Sequence, residues 1–140
     1  MYNIYYIESN QLNSFFNKLK KEFKVFSAVA KEPNFTKETD YSYKDLPKGE
    51  PLVFNPYRAV EPLKAFFTHT QDKAAEYFNQ DDSITDLPQT IIFGVKSCDI
   101  AGHKIQDFVF LEGAEVDSLY RVRRENTIFV SSDCTDFKKV

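Results

Sequence analysis

The sequence predicts an α/β protein, a single domain with a mainly parallel sheet flanked by helices. Strand-like apolar segments alternate along the chain with segments of helical periodicity, as in layered α/β folds. Residues 90–97 (TIIFGVKS) are almost continuously apolar, which is typical of a strand buried on both faces of a parallel sheet. The length of 140 residues suits one domain with a substantial core, so we expect residues 1–140 to form it.

The N-terminal part of the chain predicts two strands around one helix. Residues 2–8 (YNIYYIE) alternate and are rich in strand-forming types, so they predict a strand. Residues 24–32 predict a second strand that returns from the helix. The helix between them is predicted to begin at a Ser9 cap. Its apolar stripe should face the core and consists of Leu12, Phe15, Phe16, Leu19 and Phe23.

The middle of the chain contains more turn-forming residues. Residues 33–51 carry three prolines and a glycine among charges, which predicts a loop or irregular hairpin with a short strand near Tyr41 and Tyr43. Short elements are then predicted at 51–55, a strand, and at 60–68, a helix. The remaining predicted segments are a helix at 72–80 and a polar connection at 81–89.

Two cysteines follow the predicted strands of the C-terminal half. Residues 90–97 and 127–132 predict strands, and 99–111 predict a helix with Ile100, Ile105, Phe108 and Leu111 on its apolar face. If the strands are parallel neighbours joined by a right-handed crossover through this helix, Cys98 and Cys134 reach the same edge of the sheet. Open α/β folds bind their ligands at that edge.

Cys98 has two interpretations. A free cysteine is often a small buried apolar residue. Alternatively, its predicted place at a helix N-terminus favours the thiolate, the form that binds iron or zinc, although Asp99 adds a like charge. Two cysteines 36 positions apart do not form a disulfide framework, so a cytoplasmic protein is expected.

Composition disfavours several classes of function. A net charge of −3 and a pI near 5.4 provide no basic field for nucleic acid. No apolar run reaches the roughly 18 residues of a membrane span, and the N-terminus lacks the features of a signal peptide. Dinucleotide-binding and P-loop motifs are absent. The two histidines, His69 and His103, are interpreted as surface residues.

Arginines are concentrated in residues 120–127 (YRVRRENT). This segment predicts either a solvated charged turn before a strand or a patch that faces a partner or an anion. Arginine keeps its charge at accessible pH and serves poorly as a proton shuttle. We therefore expect structural or docking roles, not catalytic ones, for Arg58 and for the cluster Arg123, Arg124 and Glu125.

Three segments together resemble a known family. They are residues 55–67 (NPYRAVEPLKAFF), 93–110 (FGVKSCDIAGHKIQDFVF) and 117–134 (DSLYRVRRENTIFVSSDC). They are similar to iron–sulfur electron-transfer subunits, namely the sulfhydrogenase beta subunit, with its counterpart in anaerobic sulfite reductase. That family shows G-V-R-P-C-D, then D-x-V-F, then D-x-x-Y-x-x-R-R-E followed by a strand and a cysteine. Lys96 and Ser97 replace the usual Arg–Pro pair here.

The resemblance implies a function for both cysteines. Cys98 and Cys134 would be metal ligands of an iron–sulfur cluster, and the motif residues Asp99, Asp107 and Tyr120 would have structural or docking roles. A four-cysteine 4Fe-4S site needs two more thiolates, which the family carries downstream together with a ferredoxin-like part. Because that part is absent from this sequence, we expect no cluster in this chain alone.

The resemblance also implies partners. The chain would be the N-terminal, accessory domain of a subunit that docks with other subunits of a redox complex in anaerobic metabolism. The alternative is a small cytoplasmic thiol-dependent redox protein or enzyme acting through Cys98.

Overall fold

The fold is a four-stranded, mainly parallel sheet with helices on both faces, within the part of the chain that the structure describes. This structure, a computed structural model, describes residues 3–31, 40–46, 49–52, 54–68 and 87–136. The strands are β1 (Lys24–Ala30), β2 (Tyr41–Asp45), β3 (Thr90–Val95) and β4 (Thr127–Ser131). Their order is β2-β1-β3-β4, with β1–β2 antiparallel and both other pairs parallel. The predicted α/β class is confirmed.

Helices pack on both faces of the sheet. Successive side chains of β3 point to opposite faces, so each face presents apolar residues to a helix. The described helices are α1 (Ser9–Leu19), α2 (Ser97–Leu111), α3 (Ser118–Glu125) and a short 3₁₀ helix (Leu63–Phe66). Ile91 and Phe93 of β3 pack in one cluster with Phe16 of α1. Ile92 and Val95 pack in a second cluster with Leu63 of the 3₁₀ helix. The prediction that β3 is buried on both faces is therefore confirmed.

The crossover that positions the cysteines runs from β3 through α2 and α3 to β4. β3 and β4 pair in parallel from Thr90↔Thr127 onward, with a shift of register between Phe93 and Val95. The shift occurs at Gly94, whose φ is +79°, a left-handed conformation that favours glycine. The predicted parallel pairing of these strands is confirmed.

Some predicted elements in the first half are correct and others are wrong. β1 and the short β2 lie where they were predicted. Residues 3–8 form no strand, and Ile4, Tyr5 and Tyr6 are exposed, because a segment with strand-like alternation is stable only beside a partner strand. Within the predicted strand 51–55, the described residues 51–52 and 54–55 form no strand either.

The predicted helices of the first half also differ in detail. Glu8, not Ser9, is the N-cap residue of α1, and Phe16 is the buried member of the predicted stripe, whereas Phe15 is exposed. The helix predicted at 60–68 is reduced to the 3₁₀ helix, preceded by Pro62. The helix predicted at 72–80 lies outside the described residues, as does the connection at 81–89 apart from 87–89.

The second half departs from the sequence interpretation in its helices. The arginine-rich segment is not a turn but part of α3, which begins after Asp117, whose side chain accepts a hydrogen bond from the Tyr120 amide. On α2 the predicted apolar face is correct at Ile100, which packs against the core, and wrong at Ile105 and Phe108, which are 68% and 62% exposed. His103, predicted as a surface residue, is instead 3% exposed on the inner face of α2.

Within the described ranges, no helix is long and apolar enough to cross a membrane.

Candidate functional site

Both cysteines lie at the carboxyl edge of the parallel strands. Cys98 is the second residue of α2, directly after β3, and Cys134 lies three residues beyond the end of β4. Both are exposed free thiols, so the interpretation of Cys98 as a buried thiol is wrong. They line the same open cleft of about 760 Å³. The parallel crossover thus brings together two thiols that are 36 positions apart in sequence.

The wall of this cleft, which we call the cysteine cleft, is built by three segments. They are residues 57–60, Cys98 in the first turn of α2, and residues 134–136, and Asp40 completes the lining. Arg58 and Cys98 also line a smaller neighbouring cleft of about 330 Å³, together with Asp99. Of the residues singled out in the sequence, the structure therefore places Cys98, Cys134, Arg58 and Asp99 in one region.

The charges around Cys98 partly compensate one another. Burial raises the pKa of Asp99 above its ordinary value, and the positive charges of Arg58 and Lys96 oppose that rise. Arg58 is exposed and shares the cysteine cleft with both thiols.

Lys96 is a residue of the site that the sequence interpretation missed. It is completely buried, and its ammonium donates to the Asn55 carbonyl at 2.6 Å, the Ser132 hydroxyl at 2.9 Å and the Asp133 carbonyl at 2.9 Å. The sequence did contain a signal for Lys96. A lysine stands at the end of a buried apolar strand, at a position where the resembled family carries arginine. A charged side chain there requires partners, since lysine is almost never fully buried without them.

The core on this face of the sheet contains a buried tyrosine hydroxyl. Tyr43 packs in the core with Ala59 and Val95, and no described residue forms a hydrogen bond with its hydroxyl oxygen. Burial raises the pKa of Tyr43, and the neighbouring charges of Asp99 and Cys98 raise it further. The hydroxyl therefore keeps its proton and retains the capacity to donate a hydrogen bond.

The other predicted site residues do not line the cysteine cleft, and all of them except Glu125 form contacts that hold helices together. Asp107 of α2 accepts from the Tyr120 hydroxyl at 2.7 Å and from the Arg124 Nε at 3.2 Å. Arg123 donates to the Phe67 carbonyl at 3.0 Å, and Glu125 is exposed at the end of α3. These contacts join α2 to α3 and α3 to the segment after the 3₁₀ helix.

His103 is occupied by the same network. Its Nδ1 lies 3.0 Å from the Gln106 Oε1, and its Nε2 lies 3.4 Å from the Tyr120 hydroxyl and 3.6 Å from Asp107. Burial lowers the pKa of His103 below its ordinary value of 6.5, so the ring is neutral at pH 7. Because both ring nitrogens face partners within the network, His103 is poorly placed to act as a base for Cys98.

The lowered pKa of His103 predicts a pH dependence of stability. The unfolded chain binds the proton at about pH 6.5, and the folded chain binds it only at lower pH. The free energy of unfolding should therefore be unaffected by this group above pH 6.5 and should fall as pH decreases below it. Urea unfolding of the parent and of His103→Gln between pH 8 and pH 5 checks this. The difference between their free energies of unfolding, followed as a function of pH, isolates the contribution of His103. A difference that is constant with pH would contradict the assignment.

The donor set of the cysteine cleft is incomplete as a metal site. Among the residues described, no group of three or more histidine, cysteine, aspartate or glutamate side chains could hold a metal ion. Two exposed thiols are present, whereas an ordinary iron–sulfur cluster takes four. The two thiols alone are therefore too few to hold such a cluster.

Comparison with known proteins finds one of similar sequence. The chain is 30% identical over 131 residues to sulfhydrogenase 2 subunit beta of Pyrococcus furiosus. The predicted resemblance to a sulfhydrogenase beta subunit is confirmed. The match covers 91% of this chain, well beyond residues 55–134 that carry the motifs, so the similarity extends into the first strands of the fold.

The chain spans 36% of the length of this sulfhydrogenase beta subunit. No protein-family model matches the chain. No solved structure matches it either.

Proposed function

We propose that residues 1–140 form an accessory and docking domain of an electron-transfer subunit in a multi-subunit oxidoreductase of the hydrogenase or sulfite/sulfur reductase type. Cys98 and Cys134 supply two thiolates to an iron–sulfur cluster. The observation that carries this proposal is the presence of two exposed free thiols on one cleft, at the carboxyl ends of adjacent parallel strands. The name of the relative, a sulfhydrogenase subunit, supports the class of complex.

The chemistry of the cleft suits thiolate ligands. Cys98 lies in the first turn of α2, a 15-residue helix whose N-terminal amides and dipole stabilise a negative charge. Arg58 adds a positive charge to the same cleft.

The remaining ligands come from outside the cleft. The cleft is open to solvent on one side, and its volume of about 760 Å³ leaves room for a cluster and for further cysteines. Those cysteines belong to a downstream segment or to a partner chain, since this sequence contains only Cys98 and Cys134. When bound, the cluster would supply one-electron transfer.

The proposal includes partners and a compartment. Other subunits of a redox complex dock on this domain, and exposed free thiols suit the reducing cytoplasm.

The alternative is a thiol-dependent redox protein or enzyme that acts through Cys98. The exposed thiol at a helix N-terminus beside Arg58 favours it, but the histidine nearest to it in sequence is engaged with Gln106, Asp107 and Tyr120. A catalytic Cys98 should react with iodoacetamide well below pH 8, whereas an unactivated thiol should not.

The cluster proposal is tested by replacing each ligand. We expect Cys98→Ser and Cys134→Ser, made in the protein expressed from its complete reading frame and reconstituted anaerobically, each to remove or convert one cluster and to spare any others. Iron content and the electron paramagnetic resonance spectrum measure this.

The matched control is Ala101→Ser, which introduces the same hydroxyl on the exposed face of α2 without changing a thiol. Iron content and spectrum should equal those of the parent in this control. If Cys98→Ser and Cys134→Ser also equal the parent, the two cysteines are not cluster ligands.

A further inference from the structure

The segment that carries Cys134 lies outside regular secondary structure. β4 ends at Ser131, and residues 132–134 belong to no helix or strand. The Ser132 amide donates to the Val95 carbonyl at 3.0 Å, which continues the β3–β4 ladder by one residue. Beyond that point another interaction must determine where Cys134 lies.

Lys96 provides that interaction. Its ammonium has three acceptors within 2.9 Å, and two of them belong to Ser132 and Asp133, the residues directly before Cys134. The third acceptor is the carbonyl of the buried Asn55. Lys96 is completely buried, so these hydrogen bonds are charge-assisted and shielded from water.

Further hydrogen bonds join the segment after Cys134 to the residue that follows Asn55. The Pro56 carbonyl accepts from the amides of Thr135 and Asp136 at 2.9 Å and 3.3 Å. Residues 132–136 are therefore held against residues 55–56 on both sides of Cys134. Because Lys96 precedes Cys98 by two residues, the same side chain connects the backbone that carries one thiol to the backbone that carries the other.

We infer that Lys96 is a positioning residue that sets the separation of the Cys98 and Cys134 thiols. The importance of this separation rests on the proposed function, since two thiolates can share one cluster only at a defined separation. The separation itself is measurable without metal. Arginine at this position, as in the resembled family, preserves the cation and its capacity for several hydrogen bonds.

The test labels the two natural cysteines, which are the only ones in this chain, with nitroxides and measures their distance distribution by pulsed electron paramagnetic resonance. Lys96→Met keeps a long apolar stem but removes the cation, and should shift the distribution to longer distances and broaden it. Lys96→Arg should keep the distribution of the parent. Tyr120→Phe, which loses a buried hydrogen bond away from the cleft, should also keep it.

Ser132→Ala is the second variant if Lys96→Met fails to fold. It removes one of the three acceptors and should broaden the distribution less, in the same direction. An unchanged distribution in a folded Lys96→Met, or in Ser132→Ala where Lys96→Met does not fold, would overturn the inference. Equal broadening in Lys96→Arg and Lys96→Met would overturn it too, because buried volume and not the cation would then set the distance. Failure of the cluster proposal appears separately, as unchanged iron in the cysteine variants.

Discussion

Gly94→Ala is expected to lower the free energy of unfolding by about 3 kcal/mol, because it combines backbone strain with overlap in the core. Gly94 has a φ of +79°, which a residue with a Cβ adopts only at a cost. An added Cβ would also overlap the side-chain oxygen of Asn55. Asn55 is buried, and its Nδ2 donates to the Tyr57 carbonyl at 2.6 Å, so its side chain has little room to move.

The consequence extends to the cysteine cleft, because Asn55 is also the backbone acceptor of Lys96. Urea unfolding measures the loss, and Gly102→Ala is the matched control. Gly102 lies within α2 with open space around its Cβ position, so alanine there should stabilise the fold by roughly 0.5–1 kcal/mol. A Gly94→Ala protein as stable as the parent would contradict the described approach of Asn55 to β3.

Asp107→Ala is expected to lower the free energy of unfolding by about 2–4 kcal/mol, since it breaks a largely buried polar network. The substitution removes the acceptor of the Tyr120 hydroxyl and of the Arg124 Nε. Tyr120 is completely buried, so its hydroxyl would lose a hydrogen bond that water cannot easily replace. These bonds join α2 to α3 at a point away from the cysteine cleft.

A double-mutant cycle with Tyr120→Phe isolates the central bond of this network. Tyr120→Phe should cost less in the Asp107→Ala background than in the parent, by roughly 1 kcal/mol. Glu112→Ala, which removes an exposed carboxylate from the end of the same helix, should leave stability within about 0.5 kcal/mol of the parent. Strict additivity of Asp107→Ala and Tyr120→Phe would show that the hydrogen bond between them contributes nothing.

The parts of the fold that could be predicted are those determined by short-range pattern and by general rules of topology. The apolar run of β3 predicted a strand buried on both faces, and the hypothesis of a right-handed crossover through the following helix placed β4 parallel beside it. Those two statements were sufficient to bring Cys98 and Cys134 to one edge of the sheet. Neither needed any knowledge of side-chain contacts.

The parts that could not be predicted depend on polar side chains buried by distant partners. His103 and Asp107 lie on the inner face of α2 because Tyr120 and Arg124 of α3 satisfy them, so a search for apolar periodicity selected the wrong face. Lys96 was missed for the same reason, since its three acceptors lie 36 to 41 positions away. Residues 3–8 have a strand-like pattern without a described partner strand.

The central claim is that Cys98 and Cys134 bind the same cluster, and the iron content of the double variant tests it most directly. The comparison uses Cys98→Ser, Cys134→Ser and the two together, in the protein expressed from its complete reading frame and reconstituted under identical conditions. If the cysteines share one site, the double variant loses the same amount of iron as either single variant. Losses that add would place the cysteines in separate sites, and iron equal to the parent in all three would contradict the account.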